Sequence, residues 1–446
     1  MPQHIVIIGN GISGITCARH VRKQCNDDIT VISSETEHFY SRTALMYIFM
    51  GHMKYEHTKP HEDWFWEKNR IQLLKAHVTG IDTQNKRLLL QEGNALSYDK
   101  LVIATGSVSN KPPLQGIDTR GVQTLYGIPD LELMHKQSIG VKKAVIIGGG
   151  LIGIEMAEML LSRNIEVTML IREQLYWNNV LPKEEATIIT DHIRGHHVAL
   201  KTSTEVKEIK TDDSGHLQGV ATHHGETIEC GFVGVTIGVS PNIALVKNSG
   251  IEIDRGILVN EAFETNLPGI YAIGDCVQYR NPPAGRKAVE QVWYTGRIHG
   301  ETLAATLCGK RTVYDPAPWF NSAKFFDIEY QTYGTVNPIE QAHEASFFWQ
   351  NEKGNSCFRA VYHKDDEVIL GFNVLGMRLR HEVCDRWLQE KRTVDEVMIN
   401  LQQLNFVPEF SNKYEESIVS AYNRQRGKNL SVKKKSGFSL FRLKTF

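Results

Sequence analysis

Several things are scarce in these 446 residues. The seven cysteines (Cys17, Cys25, Cys230, Cys276, Cys308, Cys357 and Cys384) are scattered, and none forms CxxC or CxxxxC. An odd number in a long chain argues against a secreted disulfide scaffold and makes a reducing cytoplasm the default. No stretch approaches the ~18 consecutive apolar residues of a membrane span. There is no excess of either charge: the formal net charge is −1, which disfavours a general nucleic-acid binder. The first residues run straight into a strand pattern, so no signal peptide is expected. With 41% hydrophobic and 23% charged residues, the rest is ordinary for a globular protein of two or three domains.

What the chain does have is glycine in two fingerprints, Gly9-Asn10-Gly11-Ile12-Ser13-Gly14 and Gly148-Gly149-Gly150-Leu151-Ile152-Gly153, 139 residues apart. One GxGxxG is weak evidence. Here each follows a β-branched run (His4–Ile8, Ala144–Ile147) and precedes a helical pattern (Ile15–Lys23, Leu151–Arg163), then a second strand (Ile29–Ile32, Val167–Ile171). That is one βαβ unit used twice, which predicts two dinucleotide sites. In each, the glycines permit the tight turn, close approach of a pyrophosphate and close helix–strand packing, and the helix start offers free N–H groups to phosphate.

Further strands are expected at Leu101–Gly106, near Phe232–Ile237, and at Ile270–Ile273. Pro112-Pro113 and Ser240-Pro241 mark crossings between domains. Beyond Tyr314, strand-like segments at Ile328–Tyr333, Ala345–Trp349 and Val368–Val374 precede a helical ending from about Arg380. The expected class is α/β: two Rossmann-like domains plus a C-terminal α+β domain. The expected boundaries are 1–112 and 246–313 for the first nucleotide domain, 113–245 for the second and 314–426 for the third. Residues 427–446 then form a basic, flexible tail with six cations, no acid and interleaved Phe438, Leu440, Phe441, Leu443 and Phe446. Such a tail is a solvated end, or docks on a partner or an anionic membrane surface.

Glu35 is the first acid beyond the second strand and the candidate for ribose; a solvated loop carboxylate is the alternative reading. Thr105, Gly106, Gly238 and Gly274 lie at or just past strand ends that should line the crevices. Asp275, beside Gly274 and above a helix start, is placed to accept a hydrogen bond from a ribityl hydroxyl. At the end of the second repeat, Arg172 is suited to a 2′-phosphate and Glu173 to both ribose hydroxyls, so NADPH is slightly favoured and NADH stays open. The histidine groups His192/His196/His197 and His223/His224 lack a thiol or acid set, so no metal is expected; a solvated helix and hairpin account for them.

Taken in order, IVIIGNGISG, YSRTAL, LVIATG, AVIIGGGLIGIEMAE, TNLPGIYAIGDC and WFNSAKFFDIEYQTYG resemble the two-dinucleotide-binding-domain flavoproteins. These are FAD-containing NAD(P)H reductases such as rubredoxin and ferredoxin reductases and the NADH-binding part of assimilatory nitrite reductase. The resemblance covers about residues 4–375. It implies FAD as cofactor and NAD(P)H as substrate, with Arg42 on the FAD pyrophosphate and Glu155 near the nicotinamide and flavin. It also implies that the helix start at Val292-Trp293 points at the flavin O2 edge, and that Trp319 and Phe320 flank the flavin. Where ferredoxin reductases have a lysine near flavin N5, this chain has Tyr47, so the usual Lys–Glu pair with Glu155 is missing. No cysteine follows Arg42, which disfavours disulfide or peroxide chemistry through an active thiol. Cys276 reads as a packed thiol.

The expected function is therefore hydride transfer from NAD(P)H to FAD N5 and on to an acceptor such as a ferredoxin- or rubredoxin-type iron–sulfur protein, in a cytoplasmic protein and with a homodimer open. Two alternatives stand beside it. One is a quinone reductase held at the membrane surface by the tail; the other is a redox-sensing binding protein like apoptosis-inducing factor.

Overall fold

A computed structural model gives the fold; the structure describes residues 2–407 and 412–433. The chain folds as two compact units, residues 1–176 with 193–316 and residues 177–192 with 317–446.

The first unit is built on a repeat. Strand His4–Ile8 turns at Gly9–Gly11 into helix α1 (Ile12–Gln24) and then strand Asp28–Ser33. Strand Lys143–Ile147 leads likewise into helix α2 (Leu151–Leu161) and strand Glu166–Leu170. Each centres a five-stranded parallel sheet. The first runs Ile270–Ala272, Lys100–Ile103, His4–Ile8, Asp28–Ser33, Ile71–Lys75. The second, in the matching order, runs Val122–Gln123, Phe232–Val235, Lys143–Ile147, Glu166–Leu170, Val198–Lys201.

Even the register repeats. His4 faces Asp28 as Lys143 faces Glu166, and Ile5 faces Lys100 as Ala144 faces Phe232. The central strands read as unbroken β-branched runs because both faces are covered: Ile5, Val6, Ile7, Val145 and Ile146 are fully buried. Each such side chain contributes about 1.5–3 kcal/mol by leaving water. Each half also carries a three-stranded antiparallel meander, Val78–Ser97 in the first and Val206–Glu229 in the second.

The second unit is a five-stranded antiparallel sheet in the order Phe320–Phe325, Ile328–Gly334, Ile369–Leu375, Cys357–His363, Glu344–Gln350. Helices His381–Gln389 and Glu415–Arg426 help cover it, with Trp387, Tyr422, Phe347, Phe358 and Phe372 fully buried. Residues 177–192 belong here too, and they include most of helix α3 (Lys183–Gly195). Trp177 packs edge-on to Phe325 and Tyr330, and Arg359 forms a two-pronged ion pair with Glu185 at 2.6 and 2.9 Å while also reaching Glu184. Glu185 is 0% and Arg359 7% exposed at the side chain.

His192, expected to be solvated, is instead only 16% exposed at the side chain, with its Nε2 2.7 Å from Asp327. At the basic end, Gly427–Lys433 is held: Lys428 bridges Asp395 (2.6 Å) and Glu367 (3.1 Å), and Lys433 N–H donates to Ile399. The remainder of the expected tail, 434–446, lies outside the described residues. No helix of the described residues is long and apolar enough to cross a membrane.

Candidate functional site

The two glycine turns have the same division of labour. A Cβ on Gly9 (φ +114°) would stand 2.1 Å from the Ala104 carbonyl oxygen, and one on Gly14 would stand 2.0 Å from that of Gly9. On Gly148 (φ +112°) it would meet the Thr236 carbonyl oxygen at 2.5 Å, and on Gly153 the Gly148 carbonyl oxygen at 2.9 Å. These four residues let the backbone close on itself. The middle glycines differ: Gly11 has nothing within 4 Å and Gly150 only one atom, at 3.6 Å. Each caps its helix, and neither helix has a side-chain cap. An open glycine at an uncapped helix start is where a pyrophosphate fits: space for its oxygens and unclaimed N–H donors aimed at it. Ile12, Ser13, Leu151 and Ile152 form the first turns behind them. Asn10 holds the loop beyond the second strand by donating to the Thr36 carbonyl at 2.8 Å.

Around the first crevice, one hydrogen-bonded chain joins residues from five separate segments. Arg42 donates to both carboxylate oxygens of Glu35 (2.7 and 3.2 Å) and to the Tyr126 carbonyl (2.7 Å), and its guanidinium lies over the Tyr126 ring. Glu35 also accepts from Tyr40 and from Ile128 N–H. Burial pushes its carboxyl up, but the Arg42 hydrogen bonds and charge outweigh this and hold it below its usual value. The Tyr126 hydroxyl accepts from Ser107 N–H, the Ser107 hydroxyl donates to Asp275 at 3.1 Å, and Gln291 donates to that hydroxyl at 2.7 Å. Burial raises the Asp275 carboxyl against the pull of Ser107 and Arg42.

Glu35 and Arg42 thus meet each other: the acid aligns the guanidinium rather than standing free in a loop. Thr105 and Gly106 (φ +70°) are tied to Asn242, and Gly238 (φ +98°) accepts from Asn110 N–H, which joins the two halves at the crossing strands Ser107–Ser109 and Val239–Pro241.

Helix α4 (Trp293–Leu307) begins at Val292, which is extended and caps it without a side chain, so its first N–H groups are also unclaimed. Trp293 stands half-exposed at this start. The helix lies close on α1 through Gly296 and Gly300, where a Cβ would meet Ser13 Oγ at 2.7 Å and the Ser13 carbonyl oxygen at 2.5 Å. Gly274 (φ +79°), before Asp275, is fixed by its N–H donating to Nδ1 of His299, whose Nε2 bonds Tyr279. His299 is fully enclosed, its ring pushed down to about 3 first by burial and then by Arg286, so it is neutral.

In the second crevice, Tyr176 locks the turn by donating to the Gly150 carbonyl at 2.8 Å. Glu155, one turn into α2, is pushed up to about 7 by burial and then by Glu158. Tyr47 lies on the short helix Leu45–Phe49, which packs against α2 and brings no cation to Glu155. Arg172 and Glu173 pair with each other at 3.1 Å, the arginine largely exposed. Trp319 and Phe320 lie in the second unit, where Phe320 packs on Tyr333 and His381. Cys276 is fully buried and hydrogen-bonded to the Ile273 carbonyl.

Ser107, Tyr126 and His299 are site residues that sequence reasoning missed. None carries a local signal; each acts through a partner distant in the chain.

The model of the pyridine nucleotide-disulphide oxidoreductases matches residues 3–292, through both glycine crevices. The chain belongs to the pyridine nucleotide-disulphide oxidoreductase family. It is 28% identical over 372 residues to nitrite reductase [NAD(P)H] of Bacillus subtilis, a match covering 82% of this chain and 45% of the relative. Over 339 residues it is 30% identical to an NADH oxidase of Methanocaldococcus jannaschii, covering 73% and 74%. An NADH-rubredoxin oxidoreductase of Clostridium acetobutylicum is 28% identical over 406 residues, covering 89% and 99%. The chain therefore spans less than half of the nitrite reductase and nearly all of the rubredoxin enzyme.

Among solved structures, an NAD-dependent persulfide reductase from A. fulgidus superposes with a TM-score of 0.82 at 25% identity, covering 95% of this chain and 84% of that one. A ferredoxin reductase from Rhodopseudomonas palustris shares the fold with a TM-score of 0.77. With the family come an oxidoreductase activity, FAD as cofactor and NAD(P)H as reductant. The open cradle at Gly11, the uncapped starts of α1 and α4, and the Arg42–Asp275 chain fit FAD; the matching cradle at Gly150 fits the nicotinamide nucleotide.

Proposed function

We propose that this oxidoreductase takes a hydride from NAD(P)H onto FAD and delivers the electrons to an iron–sulfur protein of the rubredoxin or ferredoxin type. The repeated crevice carries this reading: two nucleotide cradles of one geometry lie in one compact unit. FAD, when bound, supplies the ring that accepts a hydride and can release electrons one at a time.

The chain's own groups bind and orient. The N–H groups of α1 and the guanidinium of Arg42 hold the pyrophosphate, with Glu35 keeping the guanidinium in place. Asp275 accepts from a ribityl hydroxyl, its second neighbour Ser107 setting the carboxylate's angle. The positive end of α4, at Val292 and Trp293, favours negative charge before it. Gly148–Gly153 seat the nicotinamide nucleotide, and Glu155 orients its carboxamide. Arg172 takes a 2′-phosphate, while Glu173 serves a ribose without one. No protein nucleophile is required, since proximity and alignment carry the transfer.

The acceptor class is supported by the names of the rubredoxin and ferredoxin reductase relatives and by the lack of a cysteine after Arg42. Stopped-flow mixing with NADH and with NADPH, followed by rubredoxin, ferredoxin, a quinone and dioxygen, tests it. The expected result is bleaching of the flavin band and fastest reoxidation by an iron–sulfur protein. Faster reoxidation by quinone overturns the acceptor assignment, and no bleaching by either nucleotide overturns the whole reading.

A further inference from the structure

Helices α1 and α4 run alongside each other with their residues in step. At four-residue intervals α1 presents Ser13, Cys17 and Val21, and then Cys25 at its end. Helix α4 presents Gly296, Gly300 and Ala304, and then Cys308 at its end. Residues four apart lie on one face of a helix. The first pairs touch: a Cβ on Gly296 would stand 2.7 Å from Ser13 Oγ, and one on Gly300 would stand 2.9 Å from Cys17 N. Small residues on α4 bring the backbones close along the whole seam. At its far end the Sγ atoms of Cys25 and Cys308 stand 2.9 Å apart, about 0.9 Å beyond a disulfide bond.

We propose that Cys25 and Cys308 are a modification site: they close to an intramolecular disulfide that staples the C-terminal ends of the two helices whose N-termini face FAD. Both residues are half-buried and reachable by a small oxidant, whereas Cys17, Cys276, Cys357 and Cys384 are fully buried and Cys230 nearly so. Cys25 donates to Asp27 Oδ2 at 3.6 Å, a carboxylate placed to draw off its proton, and Cys308 lies against its sulfur, so Cys25 makes the first attack. Burial, and then Cys25 itself, push Cys308 up to about 12, so it keeps its proton until its sulfur attacks as the resolving group.

With hydrogen peroxide as oxidant, the Cys25 thiolate attacks one oxygen. An S–O bond forms, the O–O bond breaks, and hydroxide leaves and takes up the proton shed by Cys25. The Cys308 sulfur then displaces hydroxide from the sulfenic sulfur; the S–S bond forms, and its thiol proton leaves with the hydroxide as the second water. Two thiols and one peroxide give one disulfide and two waters. The pair lies about 20 Å along α1 from the glycine turn, so it is a cross-link remote from the hydride path rather than a catalytic dithiol.

The test uses the full-length FAD-loaded protein, treated with hydrogen peroxide or with oxidised glutathione, then alkylated and digested without reduction. The expected result is a mass loss of two hydrogens and a peptide joining Cys25 to Cys308. It is expected together with a melting temperature roughly 5 °C above that of the dithiothreitol-treated protein and slower loss of FAD on dilution. Cys25→Ser and Cys308→Ser should each abolish the linked peptide and the shift. Retention of all seven thiols, a link between other cysteines, a glutathione adduct alone, or a linked peptide with no change in melting would each overturn the proposal. Should either variant fail to fold, the wild-type peptide map and melting pair decide.

Discussion

Replacing Glu155 by glutamine isolates the consequence of burying a carboxyl with no cation to balance it. In the folded state the Glu155 carboxyl is raised from about 4.5 to about 7 by burial and by Glu158, and the neighbouring helix Leu45–Phe49 carries no cation. The folded protein therefore binds this proton more tightly than the unfolded chain does. Below about pH 4.5 both states hold it and it costs nothing. As pH rises through the window up to about 7, the unfolded chain releases it first and stability falls. Above about 7 the full loss remains. At about 1.4 kcal/mol per pH unit, that window amounts to about 3 kcal/mol.

Glu155→Gln keeps the shape and cannot ionise, so wild type and variant should differ by no more than about 1 kcal/mol at pH 5. The variant should be more stable by about 3 kcal/mol at pH 8. Urea unfolding of both proteins across pH 5–8, in one buffer of fixed ionic strength, measures the difference directly. Two parallel stability curves would refute the reasoning, and so would a variant that gains stability toward acid. Tyr47→Lys supplies the missing cation and should flatten the wild-type curve.

Other outcomes follow from the site geometry. Gly9→Ala drives a Cβ into the Ala104 carbonyl at a positive φ and should cost at least about 3 kcal/mol of stability. Gly11→Ala meets no protein atom, so it should melt normally while FAD affinity, read by fluorescence, falls on the order of 10- to 100-fold; equal effects of the two would argue against the assigned roles. Arg172→Ala should lower kcat/KM for NADPH about tenfold, its exposure limiting the effect, and leave NADH nearly unchanged. His299→Leu strands the Gly274 N–H and should weaken FAD binding by about 1–3 kcal/mol with a shifted flavin spectrum. His299→Asn, which can still accept that bond, should restore both.

The parallel strands were legible because burial on both faces leaves a signature of consecutive β-branched residues, and the glycine turns because so few residues can take their place. Strands Phe320–Phe325 and Cys357–His363 were not read. Asn321 and Ser322 interrupt the first, and Arg359 sits inside the second with its counter-charge 174 residues earlier on Glu185. Glu35 reads as ligand-facing from its spacing and Arg42 from the family resemblance, yet their mutual pairing, and the Ser107–Tyr126 link that continues it, depend on segments brought together only by folding. The sequence holds no CxxC motif, and its cysteine spacing says nothing of two sulfurs separated by 283 residues. Spacing in sequence is silent about helices that run side by side.

The ownership of helix α3 constrains how this protein can be rearranged. Its chain comes from within the nucleotide-binding repeat, yet its Glu185 neutralises an arginine sealed inside the carboxyl-terminal sheet. A genetic exchange cut at residue 317 would hand the new host an orphaned guanidinium, a fault of about 3–5 kcal/mol, and a hollow where Trp177 had been. A transplant of this sheet must therefore carry two stretches of gene at once.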